Sequence, residues 1–177
     1  MTADAAAHVA FLRGLRAVRQ FRPDPVPEPA VTDILDVVRW SGSASNQQPF
    51  EVVLVQDRDT LRALASMEGY AAHLAGAPLA AVLVMANRRP EQDTFDEGRL
   101  SERIMLAAAA HGLGSSIGWL RGAGPEQAKR LLDIPLDRLV RTAISIGYPT
   151  EEAARRGGRR RPLASIVHRE RYGRPDG

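Results

Sequence analysis

The chain has 177 residues, 44% of them hydrophobic, and no cysteine. That supports one folded globular domain and excludes a disulfide framework, a thiolate nucleophile and a thiolate metal site. A sequence pI near 9.9 suggests nucleic acid, but the net charge is only +3 and Lys129 is the sole lysine, so the value reflects arginine usage more than a strong field.

In chain order, Val9 and Leu12 repeat at helical spacing over Asp4 to Gly14. From Phe21 to Pro29, prolines at every second position remove backbone donors and predict an extended strap. Pro29 opens a second helix carrying Val31, Ile34, Leu35 and Val38. Glu51 to Gln56 and Leu79 to Met85 are apolar enough to be strands buried on both faces. Between them Asp59 can cap a helix with Leu61, Leu64 and Met67, and a short helical piece follows Tyr70.

The longest helix is expected from about Asp96 to His111, stopped by Gly112. Asp93, Asp96 and Glu97 fit capping and complementarity to the helix dipole. Pro125 opens a helix with Ala128, Leu131 and Leu132 on its apolar face. Val140, Thr142, Ile144 and Ile146 alternate onto one face of a third strand. Strands and helices mix without a regular βαβ beat, which favours an α+β sandwich over a doubly wound sheet.

Several motifs fail. Gly112-Leu-Gly-Ser-Ser-Ile-Gly118 follows a helix and its last spacing is one residue too long for a dinucleotide fingerprint. His8, His73, His111 and His168 lack metal-ligand spacing, so no metal is expected. The apolar runs are too short to span a bilayer and no export signal is visible, so the expected location is cytoplasmic, off the membrane.

Three polar clusters remain: Arg16/Arg19, Ser43 to Gln48, and Arg159/Arg161. Alone, each has an ordinary reading as a helix end, a capping loop or a solvated tail. Together they offer arginines for a phosphate and amides for a heteroaromatic edge. Arg16-Ala-Val-Arg19, the turn Gly42-Ser-Ala-Ser-Asn46-Gln-Gln48-Pro-Phe50, the glycine-rich segment Gly112 to Trp119 and the closing Gly158-Arg-Arg-Arg-Pro-Leu163 through Tyr172 resemble the nitroreductase family over nearly the whole chain.

That resemblance implies an α+β fold in three layers, a mainly antiparallel central sheet flanked by helices, and a domain-swapped homodimer with FMN between subunits. It implies one domain over residues 1–177, with 155–177 an extension that contacts the FMN phosphate and the partner subunit. By the same resemblance Arg16, Ala17 and Arg19 line the FMN site, Arg19 near the pyrimidine edge. Leu15 stands at a usually basic position, and Arg13 is one turn away. Ser43, Ala44 and Asn46 face the flavin, chiefly that of the partner, and Gln48 supports their loop. Ile117 and Gly118, with Trp119, meet flavin N5 through the backbone, and Arg159 and Arg161 grip the phosphate.

The activity implied is a ping-pong cycle in which NAD(P)H delivers hydride to N5 and an electron-poor acceptor, such as a nitroaromatic, quinone or enone, then collects it. No catalytic side chain is implied. A flavin protein of the same fold with other chemistry (flavin breakdown, dehalogenation or carriage) is the alternative. A nucleic-acid-binding module is disfavoured by near-balanced charge and few aromatics.

Overall fold

The computed structural model describes residues 3–155 and 160–173. The strands are β1 (Phe50–Val55), β2 (Leu79–Met85), β3 (Gly114–Trp119) and β4 (Leu139–Gly147). They form one sheet in the order β1-β2-β4-β3, every neighbour antiparallel. The helices are α1 (Ala3–Gly14), α2 (Glu28–Arg39), α3 (Arg58–Ala65), α4 (Pro90–Ala110), α5 (Gly124–Leu131) and α6 (Glu151–Arg155). No helix among the described residues is long and apolar enough to cross a membrane.

Alternation along each strand sends residues to two separate cores. Leu79, Ala81 and Leu83 of β2 pack with Ile144 and Ile146 of β4 beneath α2 and α4. Ala80, Val82 and Val84 pack on the other face with Leu61 and Leu64 of α3, Leu74 and Ala128. The result is an α+β arrangement in three layers. All seven residues of β2 are buried, as its apolar run predicts.

β1 departs from that expectation. It is an edge strand, and only Val55 within it is fully buried. Its apolar composition reflects packing by Val52 against the first core and Val53 against the second, without full enclosure. In β4 the expected common face also breaks: Leu83 pairs with Thr142 but Val84 with Val140, leaving Arg141 as an extra residue. This β-bulge turns Val140 into the second core, away from Ile144.

Other boundaries shift for local reasons. Asp57, not Asp59, caps α3, its carboxylate accepting from the Thr60 N–H at 2.8 Å. α4 begins at Pro90, with Asp93 accepting from the Arg88 N–H, whereas Asp96 and Glu97 are buried one turn further on and do other work. Leu131 is exposed on α5. The buried neighbour is Lys129, whose ammonium donates to the Leu136 and Arg138 carbonyls. β3 is a strand no apolar pattern announced.

Candidate functional site

β3 closes one edge of the sheet, and strand parity decides what that edge offers. Leu120, just past β3, donates to the Arg141 carbonyl, so the even-numbered residues turn their backbone groups toward β4. Ser115, Ile117 and Trp119 turn theirs outward. Ser115 accepts from the Val18 N–H and Trp119 accepts from the Tyr70 N–H. Ile117 lies between these two contacts, its N–H pointing off the free edge and its side chain exposed.

The segment after α1 is laid along this edge. Ala17 forms a parallel bridge with Ser115, which brings Ala17, Arg19, Ile117 and Gly118 into one neighbourhood. Gly118 contributes closeness: a Cβ there would sit 3.0 Å from the Ala143 carbonyl oxygen and 3.1 Å from Ala71 Cβ. Arg16 folds back, donating to the Arg13 and Leu15 carbonyls at 2.6 and 2.7 Å, so its guanidinium closes the end of α1. Leu15 and Arg16 line a cavity of about 340 Å³ with Ser115, whose hydroxyl is enclosed without a partner.

On the inner side of the edge stands His73. Its Nδ1 is 2.9 Å from Ser145 Oγ, and that hydroxyl donates to the Ser116 carbonyl at 3.3 Å. Burial pushes the imidazole pKa below its usual 6.5; the Ile117 carbonyl opposes this and the Arg19 charge reinforces it.

The second cluster is a tight loop before β1. Ser45, Asn46 and Gln48 hold left-handed φ of 52°, 53° and 48°, a conformation non-glycine residues adopt only when held. The restraints are visible. The Gln48 N–H donates to Ser43 Oγ at 2.8 Å, the Gln48 amide donates to the Asn46 carbonyl, and the Ala44 N–H donates to buried Asp96 at 3.0 Å. Ala44 and Gln48 line a cavity of about 370 Å³ shared with Arg88, Arg89 and Arg138.

Strand order separates the two clusters. The loop feeds β1 at one edge and Arg16–Arg19 lies on β3 at the other, with three strand spacings of about 4.8 Å between them. Within one chain they do not meet. Arg161 is exposed in the C-terminal segment, and Arg159 lies outside the described residues. Sequence reasoning missed His73 and Asp96. The sequence reading gives Asp96 only a capping role at the start of α4, whereas it is buried, accepts from the Ala44 N–H and pairs with Arg99 at 3.3 Å; His73 carries no signal there beyond its lack of metal-ligand spacing.

Known proteins place this geometry. The nitroreductase family model matches residues 12–79, which contain both the strap and the loop. The chain is 29% identical to an NADH dehydrogenase of Thermus thermophilus, spanning 86% of this chain and 90% of that one. It is 25% identical to the NAD(P)H FMN reductase of Bacillus subtilis, over 89% of this chain and 71% of that one. An FMN-dependent nitroreductase structure from Clostridium difficile superimposes with a TM-score of 0.82 at 24% identity, covering 93% of this chain and 99% of that one. The matched segment holds both polar clusters and the whole layered fold superimposes, so the chain has the nitroreductase fold and resembles that family over the segment that carries the strap and the loop.

Proposed function

We propose that this chain is an NAD(P)H-dependent FMN oxidoreductase that works as a homodimer and passes reducing equivalents to an electron-poor acceptor. The observation that carries the reading is the Ile117 N–H, directed off the β3 edge between the contacts at Ser115 and Trp119, with Arg19 beside it. An outward N–H next to a guanidinium fits the donor-seeking edge of an oxidised flavin. FMN, when bound, supplies a two-electron carrier able to take hydride from a nicotinamide and release it to a nitro, quinone or enone group.

The residues divide the work. Ile117 orients the ring through its backbone and Arg19 offers a permanent charge near the pyrimidine edge, stabilising negative charge without competing for a proton. Ser43, Ala44 and Asn46 sit on the opposite edge of their own sheet, so they serve a flavin on the β3 edge of a second copy. Arg161, with Arg159, is assigned to the phosphate. This set contains no titratable group aimed at an acceptor, which fits an enzyme of broad acceptor range.

The test is the visible spectrum of the protein after FMN addition and desalting, followed anaerobically by NADPH or NADH, with sedimentation to give the mass. Co-eluting flavin bands that bleach with a nicotinamide, in a species of twice the chain mass, are expected. Retained flavin in a monomer would remove the assignment of Ser43, Ala44 and Asn46. No retained flavin would remove the reading as a whole.

A further inference from the structure

His73 is a titratable group that the proposed chemistry leaves unused, and its surroundings are unusual for a surface-facing turn. It belongs to the 3-10 turn Ala72–Gly76, which packs on α3, β3 and β4. Ser145 Oγ donates to the Ser116 carbonyl, so its lone pair is free to accept the His73 Nδ1–H. In that arrangement the neutral ring carries its proton on Nδ1 and leaves Nε2 an acceptor. Nε2 is enclosed and has no hydrogen-bond partner. The ring therefore has an unmet need for a donor, and a second proton would turn both nitrogens into donors with the Ile117 carbonyl close by.

We propose that His73 is a positioning residue for the free edge of β3, a proton-operated group that acts through Ser145 on the Ser116–Ile117 peptide and sets how strongly the Ile117 N–H donates. With the ring neutral, the donation from Nδ1–H to Ser145 and on to the Ser116 carbonyl is weak. With the ring protonated, that donation strengthens, the Ser145 hydroxyl polarises the Ser116 carbonyl, and the Ile117 N–H, which shares a peptide group with that carbonyl, is polarised outward. The edge then holds an electron-rich, hydrogen-bond-accepting ring more tightly. The charged groups around the imidazole agree with neutrality at rest. Arg19 faces it from the strap, and from α3 Arg58 reaches the Ala77 carbonyl at the end of the same turn. β3 and β4 present hydroxyls, Ser116 and Ser145, among the described residues.

The inference rests on the FMN reading for its ligand but not for its first test. In the apo protein, the Ile117 amide signal followed by NMR should titrate with the same midpoint as the His73 ring, below 6.5, and the His73→Gln variant should flatten it. Arg19→Gln should move that midpoint upward. In the loaded protein, the preference for reduced over oxidised FMN, read as the midpoint potential, should rise as pH falls from 7.5 to 5 in the wild type relative to His73→Gln. A coupling of one pKa unit makes the difference about tenfold in relative affinity. An unchanged melting temperature in His73→Gln, or in His73→Asn should the first variant fold poorly, separates this from a structural role. An Ile117 amide that ignores His73, or wild-type and His73→Gln potentials that run parallel from pH 7.5 to 5, overturn the proposal. Failure to retain FMN removes the flavin reading alone, and the apo titration then decides whether His73 governs this edge.

Discussion

The Val18 N–H donates to the Ser115 carbonyl at 2.8 Å, joining the start of the chain to the last edge of the sheet. Through that bond and the neighbouring Ala17 bridge, the strap runs alongside β3 and Arg19 comes to stand by Ile117. The approach is close because residue 114 has no side chain. A Cβ there would lie 2.7 Å from both Cβ and Cγ1 of Val18.

Gly114→Ala should therefore lift the strap from β3. Val18 is β-branched and has little rotamer freedom to give way, so the substitution acts as overpacking, costing about 1–3 kcal/mol. Displacing Arg19 should weaken FMN binding by about tenfold, equivalent to ~1.4 kcal/mol. Fluorescence titration with FMN, alongside a melting curve, checks both. Undiminished affinity would separate the strap from the flavin site.

How far the sequence reveals this molecule depends on which force sets each element. α2 and β2 are legible because burial sets them: Val31, Ile34 and Val38 share one helix face, and β2 is apolar throughout. β3 is not legible from its pattern. Gly-Ser-Ser-Ile-Gly-Trp has weak strand propensity and owes its conformation to pairing with β4. The bulge at Arg141 is equally hidden, since alternation of Val140 with Ile144 reads as an unbroken strand. Arg19, Asn46 and Ile117 are assigned to the proposed flavin site through family resemblance, and a role carried by a backbone group, as proposed for Ile117, leaves little side-chain signature. His73 depends on a contact to Ser145, seventy-two positions away, that no local pattern encodes.

The bulge has its own energetic consequence. It turns Arg141 toward α4, where its Nε donates to Glu97 at 2.7 Å and its Nη2 to Thr94, with the guanidinium 5.2 Å from the Trp119 ring centroid. Glu97 is 3% exposed. Arg141→Met would leave that carboxylate enclosed without its cation, a loss of about 3 kcal/mol. Urea denaturation should show the drop in midpoint, and Trp119 emission should shift as its cation leaves. Glu97→Gln combined with Arg141→Met should recover part of the loss, since neither charge remains to be solvated.

Asp57 gives a pH dependence with a definite sign. Its hydrogen bonds from the Thr60 hydroxyl and N–H hold its pKa below 3.8. A carboxylate with a lowered folded-state pKa contributes stability that is fully present above the unfolded value. That contribution is lost as pH falls through the folded one. Asp57→Ala should lower the melting temperature at pH 7, and the gap to the wild type should close as pH drops below about 3.8. A gap that persists unchanged into that range would place the stabilisation in packing and not in the cap.

Leu15 is where the chain departs from the pattern of the family it resembles, and it offers the most direct probe of the proposed phosphate contact. The side chain is partly buried against the α2–α4 core and borders the cavity that contains Arg16 and the partnerless Ser115 hydroxyl. Arg16 is held by the Arg13 and Leu15 carbonyls and leaves that cavity without a committed cation. A guanidinium at position 15 would supply one at a cost in packing of about 1–2 kcal/mol. A charge-assisted phosphate hydrogen bond is worth roughly 1.5–3 kcal/mol, so Leu15→Arg should tighten FMN binding by about tenfold or more. Riboflavin, which has the ring and lacks the phosphate, should bind the variant no better than the wild type. Equal gains for both ligands would place the effect in the ring site. No gain for FMN would show that the phosphate is gripped elsewhere, and Arg161→Gln would then be the variant to lose affinity for FMN and not for riboflavin.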